Sequence, residues 1–403
     1  MNAPGPDVRR VYLHVGHAKT GTSYLQSVFW GSREALAGSG LVLPLRGPGD
    51  HSHLALALRG ELDESTDGAA AFTVEERLVE GLAELEAPRV LITHELLSAV
   101  SAAEAARFRD RLDGYEVHVV LTVRDLRRQI PAEWQQRVKT RGTLTYEEFQ
   151  RGVVERSGRG RKFWLVQDTP DVAERWRGDL SPERVHIVTT PPAGSAPTLL
   201  LERFCRVLGV DPALLDTTVS RRNESLGAPQ VELLRRVNVA LGDRLPHPRT
   251  GYNRVARNDF ANEILAAQAG ERIDLPPHLD DWCRLEAERI VEHIRSTGYD
   301  VSGDLDDLLP AARTGAAHPP EVTDEQVAVA AVDGIAALLT RRHQDAERIQ
   351  QLDRQLRKTE ERDQPAAQGH VPADRSPGLR ARIGLRTRLR QGRRAVRHRL
   401  RRA

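Results

Sequence analysis

The chain has 403 residues, 39% of them hydrophobic, enough for one large core or two smaller ones. No run of about 18 apolar residues occurs, which argues against a membrane-spanning helix, and two cysteines, Cys205 and Cys283, exclude a disulfide framework. The net charge of +2 conceals an asymmetry: twelve of the 59 basic residues are Arg between 375 and 403, a stretch with no acid, leaving 47 basic against 57 acidic residues elsewhere.

The opening "MNAPGPDVRR" lacks an apolar core, so no secretory signal is expected and the protein is read as cytoplasmic. Strands are expected at 11–15 ("VYLHV"), 89–93 ("RVLIT"), 117–123 ("VHVVLTV") and 184–190 ("RVHIVTT"), each a continuous apolar run of the kind buried on both faces of a parallel sheet. Helical periods fall between and after them, at 22–38, 74–86, 101–112, 126–139 and 171–179, then near 197–208, 228–241, 258–268 and 279–297. The alternation is that of an α/β domain, a parallel sheet flanked by helices, spanning 1–310. Residues 311–362 read as a linker and a long helix over 323–362, whose apolar Ile349, Leu352 and Leu356 follow heptad spacing with Arg342 and Asp345 at the preceding seam positions. Residues 363–403 read as an Arg-rich tail, disordered or a basic amphipathic helix suited to an anionic membrane surface, with no specific nucleic-acid partner expected.

The most informative stretch is "HVGHAKTGTSYLQ", 14–26. A strand, a Gly turn and a helix start aim backbone N–H groups at an anion. The frame Gly16-x4-Gly21 is that of a nucleotide phosphate loop, but Thr22 stands where such a loop requires Lys, and the strand at 117–123 ends in Arg124 rather than in an acid that would hold a metal. A Lys sits inside the loop instead, at Lys19, in a chain with only four Lys. The expectation is a phosphate cradle that needs no metal.

"KTGTSYLQ" resembles the 5′-phosphosulfate loop of the sulfotransferases that use 3′-phosphoadenosine 5′-phosphosulfate. The resemblance implies a P-loop-type sheet, that nucleotide as co-substrate, no metal, and a cradle made by Gly16, Lys19, Thr20, Gly21, Thr22 and Ser23. The family's second signature is an Arg at the end of a central strand and a Ser eight residues on, both gripping the 3′-phosphate. Arg124 stands in the first place; Ala132 occupies the second. "LLLERFCRVLGVDPALL" (199–215) and "RRNESLG" (221–227) are similar to later segments of the family, so the resemblance runs from about residue 11 to 310. A basic loop that closes the 3′-phosphate site in the family points to Arg254 or Arg257 in "TGYNRVARNDF".

Transfer of a sulfuryl group to a hydroxyl or amine needs a base for the acceptor proton. In "PRVLITHELL" both His94 and Glu95 follow a strand end; the resemblance supplies a His base in one branch and a Glu in another, and the alternative is a helix start with Thr93 as cap. His51 and His53 lie in the connection after the first helix, where acceptor-pocket or surface residues are expected. His14 and His17 flank the loop. The expected activity is a sulfotransferase acting on a small-molecule or glycan acceptor; the alternatives are a P-loop small-molecule kinase and a non-catalytic binding protein on a sulfotransferase fold.

Overall fold

Four β-branched apolar runs form the middle of a six-stranded, all-parallel sheet in the order β2-β3-β1-β4-β5-β6. These are β1 (Arg10–Gly16), β3 (Arg89–Thr93), β4 (Glu116–Val123) and β5 (Val185–Thr189). Two short edge strands, β2 (Leu41–Val42) and β6 (Asp300–Ser302), complete it; two or three residues carry no periodic signal, and neither was expected from the sequence. The computed structural model describes residues 8–219, 225–245, 248–311 and 322–362. The Arg-rich tail, most of the linker before the long helix and the first part of "RRNESLG" lie outside the described residues.

Alternate residues of β1 face different cores, which is why its run is apolar on both sides apart from the buried His14. Val11, Leu13 and Val15 pack on one side with Leu54, Phe108, Ile130, Trp176 and Ile290. Tyr12 faces the other side with Leu25, Val28, Phe29, Leu36, Phe204 and Leu208. The second face is covered by α1 (Thr22–Gly31), α2 (Arg33–Gly38) and α10 (Leu199–Leu208); the stretch expected as one helix over 22–38 breaks at Ser32. The first face carries α3 (Pro48–Leu58), α4 (Val74–Glu84), α5 (Ala102–Asp110), α6 (Leu126–Lys139), α7 (Tyr146–Val154), α8 (Gly160–Gln167), α9 (Thr169–Arg177), α11 (Ala228–Leu241) and α12 (Asp280–Thr297). Both cysteines are buried thiols.

Three segments differ from the expectation. The connection after the first helices is not an open loop: it folds into α3, with Leu54, Ala55 and His51 fully buried. Helices α7 and α8 fill the stretch between 139 and 169. The proposed lid around 250–260 belongs to a π-helix, Pro248–Leu265, pinned by buried Tyr252, whose hydroxyl donates to Asn238 Oδ1 at 2.6 Å.

A first compact unit extends to Leu339 and a second covers Thr340–Ala403. One continuous helix, α13 (Asp324–Arg362), belongs to both; in the first unit its Val327 and Ala330 are buried. No helix among the described residues is long and apolar enough to cross a membrane.

Candidate functional site

Because all strands are parallel, the ends of β1, β3 and β4 lie at one edge of the sheet. The chain leaves β1 for the β2 side, while the connection from β3 to β4 passes over β1, and such a reversal leaves a crevice at the carboxyl edge. The segments 16–22, 94–95 and 124–125 meet there.

The loop after β1 is held from outside by its carbonyls. Thr122 Oγ1 donates to the Gly16 carbonyl at 3.1 Å and Thr20 Oγ1 to that of His17 at 2.6 Å. Gln129 Nε2 donates to Ala18 O at 2.6 Å, Arg124 Nη1 to Lys19 O at 3.0 Å and Thr190 Oγ1 to Thr20 O at 3.3 Å. The amides behave differently: from His17 to Tyr24, only that of His17 donates to a protein atom, Thr122 O at 2.9 Å, among the described residues. Engaged carbonyls and unengaged amides are the arrangement of an anion nest, extended by the first turn of α1, which has no side-chain cap and no acid.

Residue choice follows from this geometry. Gly21 has φ 94°, and a Cβ there would lie 2.4 Å from Leu200 Cδ2, so no side chain fits. Lys19 adopts φ 67° although it has a Cβ. That conformation costs about 1 kcal/mol and is held by the two bonds to the carbonyls on either side of its nitrogen and carbonyl carbon, from Gln129 and Arg124. Thr20 is buried and its hydroxyl is used within the loop and against Thr122, so it offers the crevice only its amide; Thr22 is buried and Ser23 exposed.

Arg124 does not pair with its neighbour. Asp125 instead accepts from the Arg128 amide at 2.9 Å, capping α6, and forms an ion pair with the Arg128 guanidinium. The buried Nε of Arg124 has no hydrogen-bond partner, and no carboxylate lies within ion-pair distance of Arg124 among the described residues. Burial and the neighbouring Arg128 lower its pKa to about 10, against a smaller opposing effect of Asp125.

Other charges act on Lys19. Burial lowers its pKa; Glu133 and Glu95 oppose this, and Arg257 and Arg124 reinforce it. Buried Lys139, on the last turn of α6, is lowered to about 8 by burial and by the charges of Lys19 and Arg257. Burial raises the carboxyl of Glu133, which Arg137, 3.2 Å away, and Lys19 hold down only in part. Of the two arginines expected in a lid, Arg257 is thus electrostatically coupled to the loop lysine, whereas Arg254 is exposed.

After β3, His94 caps the short 3-10 turn Glu95–Ala99: its Nδ1 accepts from the Leu96 amide at 3.1 Å. An amide can only donate, so Nδ1 carries the lone pair and the neutral ring is protonated at Nε2. Burial lowers the His94 pKa, with Glu95 opposing. The Glu95 carboxylate accepts from Gln26 Nε2 at 3.0 Å. Burial pushes its carboxyl up, but His94, its own amide, Gln26 and His14 together hold it below the usual range.

His14, His17 and His51 are internal, and His53 is half-buried. His14 bridges Thr93 Oγ1 at 2.8 Å and Thr122 Oγ1 at 3.3 Å beneath the loop. His17 Nδ1 donates to Val166 O at 2.7 Å, with Nε2 3.0 Å from Thr169 Oγ1. His51 is fully buried, not a surface or pocket residue: its Nε2 donates to Pro44 O at 3.0 Å and its Nδ1 accepts from the Thr93 amide at 3.2 Å, fixing the end of β3. His53 lies 3.9 Å from Asp67. Sequence reasoning missed Thr122, Gln129, Glu133 and Lys139. Gln129 reaches a carbonyl 111 residues away, and no local pattern marks such a contact.

No family model, curated protein or solved structure matches the chain.

Proposed function

We propose that the chain is a sulfotransferase on a P-loop-type sheet, using 3′-phosphoadenosine 5′-phosphosulfate to modify a hydroxyl or amine of a small-molecule or glycan acceptor. The observation that carries this reading is the loop whose carbonyls are engaged and whose amides from Ala18 to Tyr24 are not, with Lys19 inside it and the orphaned Arg124 Nε beside it. These groups fit a ligand with two anionic centres: amides and Lys19 for one, Arg124 and Arg257 for the other.

When bound, the nucleotide supplies an activated sulfuryl group, so no covalent enzyme intermediate is required. Lys19 supplies a cation where negative charge grows on the departing phosphate, and its half-buried position strengthens that interaction. Arg124 presents a planar donor set suited to a phosphate dianion. Ala132 offers no hydroxyl, so Arg124 bears more of that recognition than in the family pattern. Glu95 is the proton acceptor in this reading, since it is held ionised beside Lys19. His94, with its lone pair at Nδ1 already engaged, presents an Nε2–H that orients an acceptor oxygen rather than removing its proton.

Transfer of labelled sulfate to a panel of alcohols, amines and glycans tests the proposal. Turnover that needs the donor's 3′-phosphate and persists in chelator is expected. ATP-dependent phosphorylation would favour the kinase instead, and donor binding without turnover on any acceptor the non-catalytic reading.

A further inference from the structure

Helix α13 has 39 residues, far longer than a surface helix needs, and much of it is exposed, with nothing covering it among the described residues. Ile335, Leu338, Ile349, Leu352 and Leu356 are all exposed, by 40% or more. Their spacing of three and four places them on one seam, with Ile335, Ile349 and Leu356 at one heptad position and Leu338 and Leu352 at the other. Arg342 and Asp345 complete that seam at its middle, and both are exposed.

Two polar residues interrupting an apolar seam decide how a second helix can lie on it. In a parallel pair each position meets itself, so Arg342 would face Arg342 and Asp345 would face Asp345 of the other copy. In an antiparallel pair the two heptad positions meet each other. Aligning Arg342 with Asp345 of the second copy then pairs Ile335 with Leu352 and Leu338 with Ile349, and leaves Leu356, beyond the matched span, opposite the small Ala331. The register that pairs the opposite charges, twice by symmetry, is also the one that pairs large apolar side chains with one another. We infer that α13 is a homodimerisation element, forming an antiparallel two-stranded coiled coil with a second copy of this chain, with Arg342 paired to Asp345 across the dyad.

The dyad falls between His343 and Gln344, so the seam from Ile335 to Leu352 is covered end to end by its symmetry mate. A two-fold axis of this kind closes the assembly at two copies. Polar seam residues of this type specify register and orientation at some cost in stability.

Sedimentation velocity of the full-length protein at about 0.15 M salt, where exposed charges are partly screened, is expected to show a dimer. Arg342→Glu places Glu against Asp at both symmetry-related sites and should weaken dimerisation about tenfold or more. Asp345→Arg should do the same, and the double variant Arg342→Glu/Asp345→Arg should restore the dimer, which separates a lost pairing from a damaged fold. As an orientation test, Arg342→Cys mixed with Asp345→Cys should give a disulfide-linked dimer under oxidation, while Arg342→Cys alone should not. A monomer at tens of micromolar, single-charge variants that dimerise like the parent, or efficient crosslinking of Arg342→Cys with itself would each overturn the inference.

Discussion

The guanidinium of Arg124 donates to the carbonyl of Lys19 at 3.0 Å, joining the end of β4 to the middle of the loop that follows β1. The bond engages the Lys19 carbonyl through Nη1, while the buried Arg124 Nε has no partner. One residue thereby shapes the anion nest and adds a cation beside it.

Arg124→Ala should therefore have two effects. Discrimination between the 3′-phosphorylated nucleotide and its dephosphorylated analogue should fall by about 1.5–3 kcal/mol, the range for a hydrogen bond to a charged group. Calorimetric titration with both nucleotides measures it. Ala132→Ser should leave binding equal or tighter. An Arg124→Ala protein that still prefers the 3′-phosphate to the same degree would assign that recognition elsewhere, with Arg257 the next residue to replace.

Lys19→Ala should reduce turnover by roughly 10²–10³, as for loss of one preorganised donor to a developing charge. Product-nucleotide affinity should fall much less, because the amides of the loop remain. Single-turnover rates beside equilibrium binding separate the two. Near-normal turnover would show that the loop is not where charge develops.

What was legible before the structure was whatever burial writes into local sequence. The runs of β1, β3, β4 and β5 are buried on both faces, so composition alone marks them, and the glycines of the loop answer to sterics at Gly21. Illegible were features settled by contact across the fold. Nothing near Lys139 or Glu133 signals that both charges act on Lys19, more than a hundred residues earlier. His51 reads as an acceptor-pocket or surface residue because it lies in the connection after the first helix, yet it is buried through bonds to Pro44 and Thr93. Arg254 and Arg257 differ by one helical face, which a segment first read as a loop does not have.

The assignment of the base makes opposite demands on two adjacent residues. With Glu95 as proton acceptor, Glu95→Gln should lose about 10²–10⁴ in turnover, the usual contribution of general-base catalysis. His94→Gln should be milder. The pH profile carries a sign: the Glu95 pKa lies below its ordinary 4.5, so the ionised form persists down to that range, and activity should stay level from pH 7 to 5 as far as this group decides it. An imidazole base would instead lose activity as it protonates. A dead His94→Gln protein beside an active Glu95→Gln protein would reverse the assignment.

Three internal histidines make a prediction about stability that does not depend on the reaction. His14, His17 and His51 are buried within the fold, and burial lowers each pKa from 6.5 to about 4. Above about pH 7.5 these rings are neutral whether the chain is folded or unfolded, so they leave stability unchanged. Below it the unfolded chain binds protons that the folded chain refuses, and stability falls until the folded values near 4 are reached. Each group contributes at most about 1.4 kcal/mol per pH unit, so three together set an upper bound of roughly 4 kcal/mol per unit. Urea midpoints at pH 8.5, 7.5, 5.5 and 5 should be nearly constant over the first pair and then drop steeply. His17→Gln should reduce the slope by its own share, at most about 1.4 kcal/mol per pH unit. A midpoint that does not move between pH 7.5 and 5 would mean that these rings accept protons within the fold, contrary to the burial that lowers all three.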